Sequence, residues 1–241
     1  MICGIRSDFR IGHCRMEENM QARLTKLNEN EILLYLGYRG QEIPVQLKEQ
    51  IERCQEEVMA AAQPRLIWRR IPIDSPLFSA LRLEGEDIQS LLLGCHEAVV
   101  MAVTLGQGID RLLARNSVSN MADAVIMDAC ASTAVENVAD NFERDLRKEL
   151  EAEHLYLTDR FSPGYGDLPI STQKQLCAAL DTERKIGLSL SASMLMIPGK
   201  SVTAILGISN TRKVLRKRGC ESCSLFRNCM YRKEGRNCHE R

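Results

Sequence analysis

Arg160-Phe161-Ser162-Pro163-Gly164-Tyr165-Gly166-Asp167-Leu168-Pro169 sets a fork-shaped cation, a rigid turn, bare backbone and an aromatic face side by side. The guanidinium of Arg160 can grip a carboxylate through two parallel hydrogen bonds. Pro163 fixes one φ angle, and Gly164 lets backbone N–H and C=O groups come close to a ligand. Tyr165 adds a ring face that attracts a cation and a hydroxyl that donates or accepts. Alone, Ser-Pro-Gly is also ordinary surface-turn chemistry. The order of the segments C-terminal to this turn decides between the two: a helical segment from Ser171, then Gly187, Leu190 and Ser193 at regular spacing, then Pro198-Gly199-Lys200-Ser201-Val202.

That succession resembles the activation domain of cobalamin-dependent methionine synthase. The family's adenosylmethionine motif is Arg-x-x-x-Gly-Tyr, followed by similar Gly-x-x-Leu-x-x-Ser and Pro-Gly-x-Ser-Val runs. The resemblance spans about residues 85 to 208 and is most specific from 160 to 202. It implies S-adenosylmethionine as ligand and methyl donor, with Arg160, Ser162, Gly164 and Tyr165 in the binding turn. It also implies reductive methylation of cob(II)alamin, a step that keeps methionine biosynthesis running. None of His13, His96, His154 and His239 stands in the Asp-x-His-x-x-Gly setting of a corrinoid-binding module. The cobalamin is therefore expected on a partner, a corrinoid-carrying methyltransferase, with a low-potential electron donor.

Working outward, Val202 to Ile208 and Ala98 to Thr104 read as strands, and Leu66 to Ile73 as another, with Ile67, Ile71 and Ile73 on one parity. Helical patterns cover Asn28 to Tyr38, the stretch from Pro44 to before Pro64, Gly85 to Leu93, and Gly106 to about Asn116. Ser119 is the expected cap of a long helix running to about Glu151. Long helices and separated strands without βαβ regularity indicate α+β, and the resemblance makes it long helices on a mainly antiparallel sheet. The expected division is a mainly helical segment packed on the core (1–84), the ligand-binding core (85–210) and a basic Cys-rich tail (211–241).

Two apparent nucleotide motifs fail. Gly106-x-Gly108 needs a third glycine at 111, where Arg111 stands, and Gly199-Lys200-Ser201 needs a first glycine at 194, where Met194 stands. A Thr-Leu-Gly turn like Thr104-Leu105-Gly106 follows a core strand in the resembled family, so a structural corner is expected there. On the long helix, Glu136 falls within about 20° of Val125 and Ala129 at 100° per residue, which puts a carboxylate on an apolar line. An internal ion pair with a nearby Arg would explain it. The resemblance supplies the other reading, since in the family a Glu on the helix before the Arg-x-x-x-Gly-Tyr turn serves the α-ammonium or a ribose hydroxyl of adenosylmethionine.

Lys plus Arg and Asp plus Glu both number 32, so no global field points to nucleic acid or membrane. The balance hides an asymmetry: residues 211–241 hold ten Lys or Arg against three Asp or Glu, a net of +7, which leaves −7 for the rest. No charged-then-apolar leader opens the sequence, and the longest strongly apolar run, Ala98 to Leu105, is far short of the ~20 residues that span a bilayer. A soluble, cytoplasmic protein is expected. Six of ten cysteines are scattered singly, while Cys220, Cys223, Cys229 and Cys238 crowd the last 22 residues. Four such thiolates can close a zinc site or a [4Fe–4S] cluster. A basic zinc module for nucleic acid or protein is the competing function, but the −7 body disfavours it, because nucleic-acid affinity needs an extended basic surface.

Overall fold

The computed structural model describes residues 21–38 and 42–212. In chain order the elements are α1 (Glu29–Tyr35), α2 (Val45–Ala61), β1 (Arg65–Pro72), α3 (Pro76–Ser79), α4 (Glu86–Leu92), β2 (Glu97–Thr104), α5 (Gln107–Ser119), α6 (Met121–Ala152), β3 (Tyr156–Leu157), α7 (Gln173–Leu180), α8 (Thr182–Ile186), β4 (Ser189–Leu190), β5 (Met196–Ile197) and β6 (Ser201–Ser209). A 3-10 turn, Ile170–Thr172, leads into α7.

The near-continuous apolar run of β2 marks a strand covered on both faces, and from Ala98 to Thr104 every residue is fully buried. It sits between β1 and β6, antiparallel to both, and the sheet order is β1-β2-β6-β3. Side chains alternate across the pleat. Val99, Met101 and Val103 meet α1, α2, α5 and α6 in one core; Ala98, Val100 and Ala102 meet α4, α7, α8 and Phe161 in a second. A fully buried Val or Met contributes about 1.5–3 kcal/mol, so β2 anchors both layers. Trp68 and Ile71 of β1 face opposite cores by the same alternation, with Ile67 and Ile73 on the Ile71 side. The fold is α+β, long helices on an antiparallel sheet, as the sequence indicates. β1 is part of this sheet, so residues on both sides of position 84 share one hydrogen-bonded layer.

α6, 32 residues long, spans about 48 Å at 1.5 Å per residue. Its cap differs from expectation. Ser119 is the last residue of α5, where its hydroxyl donates to Arg115 O, and the extended Asn120 caps α6 by accepting from Asp123 N at 3.3 Å. The Thr104-Leu105-Gly106 turn is indeed a corner: Leu105 N donates to Lys200 O, Leu105 O accepts from Gln63 N, and Gly106 takes φ +79°. It joins the end of α2 to the Pro198–Ser201 turn.

Candidate functional site

After α6 the chain returns along the sheet. β3 pairs with β6, Thr158 N donates to Gly207 O, and Phe161 exchanges two 2.9 Å backbone bonds with Ile205. Phe161 points into the second core. Strand alternation sends the preceding side chain to the opposite face, and there Arg160 meets α6. Its guanidinium is held by three carboxylates: Glu143 on Nε at 3.1 Å, Glu136 on Nη2 at 3.1 Å, and Asp140 also on Nη2. Spacing of i, i+4 and i+7 puts those acids on one helix face. The Arg160 side chain is only 12% exposed, and Nη1 is buried without a hydrogen-bond partner among the described residues. Such an orphaned donor costs about 1–3 kcal/mol, so it marks a group ready for a further acceptor.

The sequence singled out Glu136 as a carboxylate on a core line, and the structure changes that premise. Val125 is 54% exposed although Ala129 is buried. The line therefore borders the core, and Glu136, itself 39% exposed, reaches sideways to Arg160. Asp140, Glu143 and Arg147 join this face without belonging to any sequence motif. Their signal was in the sequence: charged residues at i+4, i+7 and i+11 from Glu136 continue the same face.

Beyond Arg160 the backbone folds into a compact loop. Tyr165 N donates to Ser162 O, Gly164 N to Leu168 O and Leu168 N to Tyr165 O. Gly164 lies at φ +89°, where an added Cβ would also press within 3.1 Å of Ile170 Cδ1, so only glycine suits it. Pro163 is buried, Ser162 half-buried, and the Tyr165 ring is 69% exposed. The Asp167 carboxylate ties the loop to α4 by accepting from Glu86 N at 2.5 Å and Asp87 N at 3.2 Å. At the other motif, Gly199 N donates to the Asp110 carboxylate, and Lys200 Nζ reaches Asp128 and Ser132 Oγ, both at 2.8 Å. The Asp128–Ser132–Glu136–Asp140 line of α6 thus receives Lys200 at one end and Arg160 at the other. The fold brings both sequence motifs onto a single helix face.

Cys220, Cys223, Cys229 and Cys238 lie outside the described residues. Among the described residues, no group of three or more His, Cys, Asp or Glu is placed to hold a metal ion. Burial pushes the Cys54 thiol up to about 11 and Cys130 up to about 12, so both behave as small apolar side chains of the α2–α6 contact. No helix among the described residues is long and apolar enough to cross a membrane.

An antiparallel sheet crossed by a long helix whose acidic face holds the arginine of a tight glycine loop defines the class, and comparison with known proteins supplies the family. The profile described as "Vitamin B12 dependent methionine synthase, activation domain" matches residues 93–214, half of the chain, and the chain belongs to that family. Among solved structures, the crystal structure of the MetH reactivation domain bound to AdoHcy is similar at TM-score 0.58 and 15% identity. The similarity covers 89% of this chain and 83% of that one, and it shows a shared fold. A search of curated proteins gives no significant match.

Proposed function

We propose that this protein binds S-adenosylmethionine on the α6 face at the Arg160 loop and supports reductive methylation of cob(II)alamin carried by a partner methyltransferase. The observation that carries the reading is the buried, fork-shaped cation with an unpartnered Nη1, set beside a tight glycine loop in a member of this family. Nη1 and Nη2 form the end-on edge that accepts a carboxylate bidentately. Glu136 and Asp140, the more exposed of the three acids, give up Nη2 to the ligand's carboxylate. Glu136 is then free to take the α-ammonium or a ribose hydroxyl. Ser162 and Gly164 offer backbone and hydroxyl groups, and the exposed Tyr165 ring offers a face to the sulfonium or the base. Holding a methyl group in line with its acceptor is the protein's contribution to such a transfer.

The division at 84 and 210 and a cytoplasmic site of action belong to the same reading. So does a metal centre on Cys220, Cys223, Cys229 and Cys238. An iron–sulfur cluster would supply low-potential electron transfer, whereas zinc would make the tail a structural clip. Anaerobically prepared protein is expected to be brown and to lose its colour in Cys223→Ser; stoichiometric zinc without iron refutes the electron-transfer role. Calorimetry tests the ligand: Arg160→Ala should lose on the order of 1.5–3 kcal/mol of adenosylmethionine binding. Folded wild-type protein that gives no heat at millimolar ligand would sink the proposal.

A further inference from the structure

The geometry points to Glu143 as the residue that aims Arg160, with Arg147 as the anchor behind it, an inference that rests on the ligand reading above. The three acids around Arg160 are not equivalent. Glu136 and Asp140 are 39% and 54% exposed and share Nη2, whereas Glu143 is 16% exposed and alone takes Nε. Its second oxygen is engaged as well: Glu143 Oε1 accepts from Arg147 Nη2 at 2.6 Å. Arg147 in turn donates to Leu157 O at 2.5 Å and Thr158 O at 3.0 Å. One chain of contacts therefore runs from the backbone just before the ligand loop, by hydrogen bonds through Arg147 to Glu143 and by a 3.1 Å ion pair from Glu143 Oε2 to Arg160 Nε.

This arrangement singles out one edge of the guanidinium for a ligand. The Glu143 ion pair at Nε and the Glu136 and Asp140 bonds at Nη2 fix the planar group along one side, which leaves the buried, unpartnered Nη1 beside Nη2 on the end-on edge as the position a ligand carboxylate would engage. Arg147 bonds two consecutive carbonyls, so the backbone that carries Arg160 and the helix that carries Glu143 are held as one unit. Glu143 is thus a positioning residue, acting on the ligand only through Arg160. Its carboxylate cannot be exchanged for an amide without loss. Oε1 accepts from Arg147 and Oε2 faces Arg160 Nε at 3.1 Å, and a Gln offers one acceptor and one donor, so one arginine is left facing an N–H.

The experiment compares S-adenosylmethionine with decarboxylated S-adenosylmethionine, which lacks the group that Arg160 would grip, in wild type, Glu143→Gln, Arg147→Lys and Arg160→Ala. Wild type should favour the carboxylate-bearing ligand by on the order of tenfold or more. In Glu143→Gln that preference should shrink to within about threefold, through weaker adenosylmethionine binding alone, with the decarboxylated ligand bound as in wild type. On an Arg160→Ala background Glu143→Gln should change neither affinity. Equal weakening of both ligands, or an undiminished preference in Glu143→Gln, overturns the positioning role. If Glu143→Gln does not fold, Arg147→Lys decides in the same way, since a single ammonium nitrogen lacks the two separated nitrogens by which Arg147 reaches Leu157 O from Nη1 and Glu143 and Thr158 O from Nη2. A wild type that binds both ligands alike, or neither, overturns the Arg160 reading itself and this inference with it.

Discussion

Replacing Glu136 by Gln removes one of the carboxylates on Arg160 while keeping the shape of the side chain, so it separates structural pairing from ligand service. Glu136 is 39% exposed, and solvent screening holds the worth of such a pair to about 0–1 kcal/mol. Arg160 also keeps Glu143 at 3.1 Å and Asp140, so no buried charge is stranded. In a domain of this size 1 kcal/mol moves Tm by about 2–4 °C, and Glu136→Gln should melt no more than about 4 °C below wild type. If Glu136 takes the α-ammonium of adenosylmethionine, the lost charge-assisted bond is worth about 1.5–3 kcal/mol. Calorimetry should then show Kd raised about tenfold or more. Scanning fluorimetry and calorimetry on the same preparation read the two effects separately. A Tm drop of ten degrees or so with unchanged Kd would make Glu136 a structural ion-pair member, and no change in either would remove it from the site.

Asp123 carries a pH signature. The Gln50 hydrogen bond, against the opposing cost of burial and aided by Arg53, holds its carboxyl below the usual 3.8. A lowered folded pKa contributes stability that is complete above the unfolded value, about 3.9, and is lost as pH falls through the folded pKa. Asp123→Asn should therefore melt lower at pH 7 yet lose less on acidification below about pH 5; parallel melting curves across that range would refute this. Gly108→Ala sets helix propensity against packing. Alanine gains about 0.5–1 kcal/mol in a helix, but its Cβ would run into the Ala61 carbonyl oxygen. Backbone yields less readily than side chains, and overpacking costs about 1–3 kcal/mol, so Tm should fall; a rise would show that the α2–α5 contact can open.

Local chemistry made much of this protein legible in its sequence. The extents of α2, β2, α6 and β6 follow from periodicity and from Pro and Gly positions, because which residues share a face is set within a few residues of chain. The loop at Arg160 is readable for the same reason: Pro163 and Gly164 dictate its backbone, and the order of motifs through Val202 points to the family. Other features depend on partners far along the chain. Ser119 and Asn120 are both good caps, and only the packing of α5 against α6 selects Asn120 as the break. A helical wheel places Glu136 beside Val125, but it cannot say that Val125 stays 54% exposed, since burial belongs to the neighbouring elements. Arg160 meets Glu136 across 24 residues and Lys200 meets Asp128 across 72. Those encounters exist because β6 pairs with β2, β3 and Phe161 and lays both turns along one face of α6. Strand order is a choice among long-range pairings of similar local cost, and the two buried cores on either side of β2 make that choice.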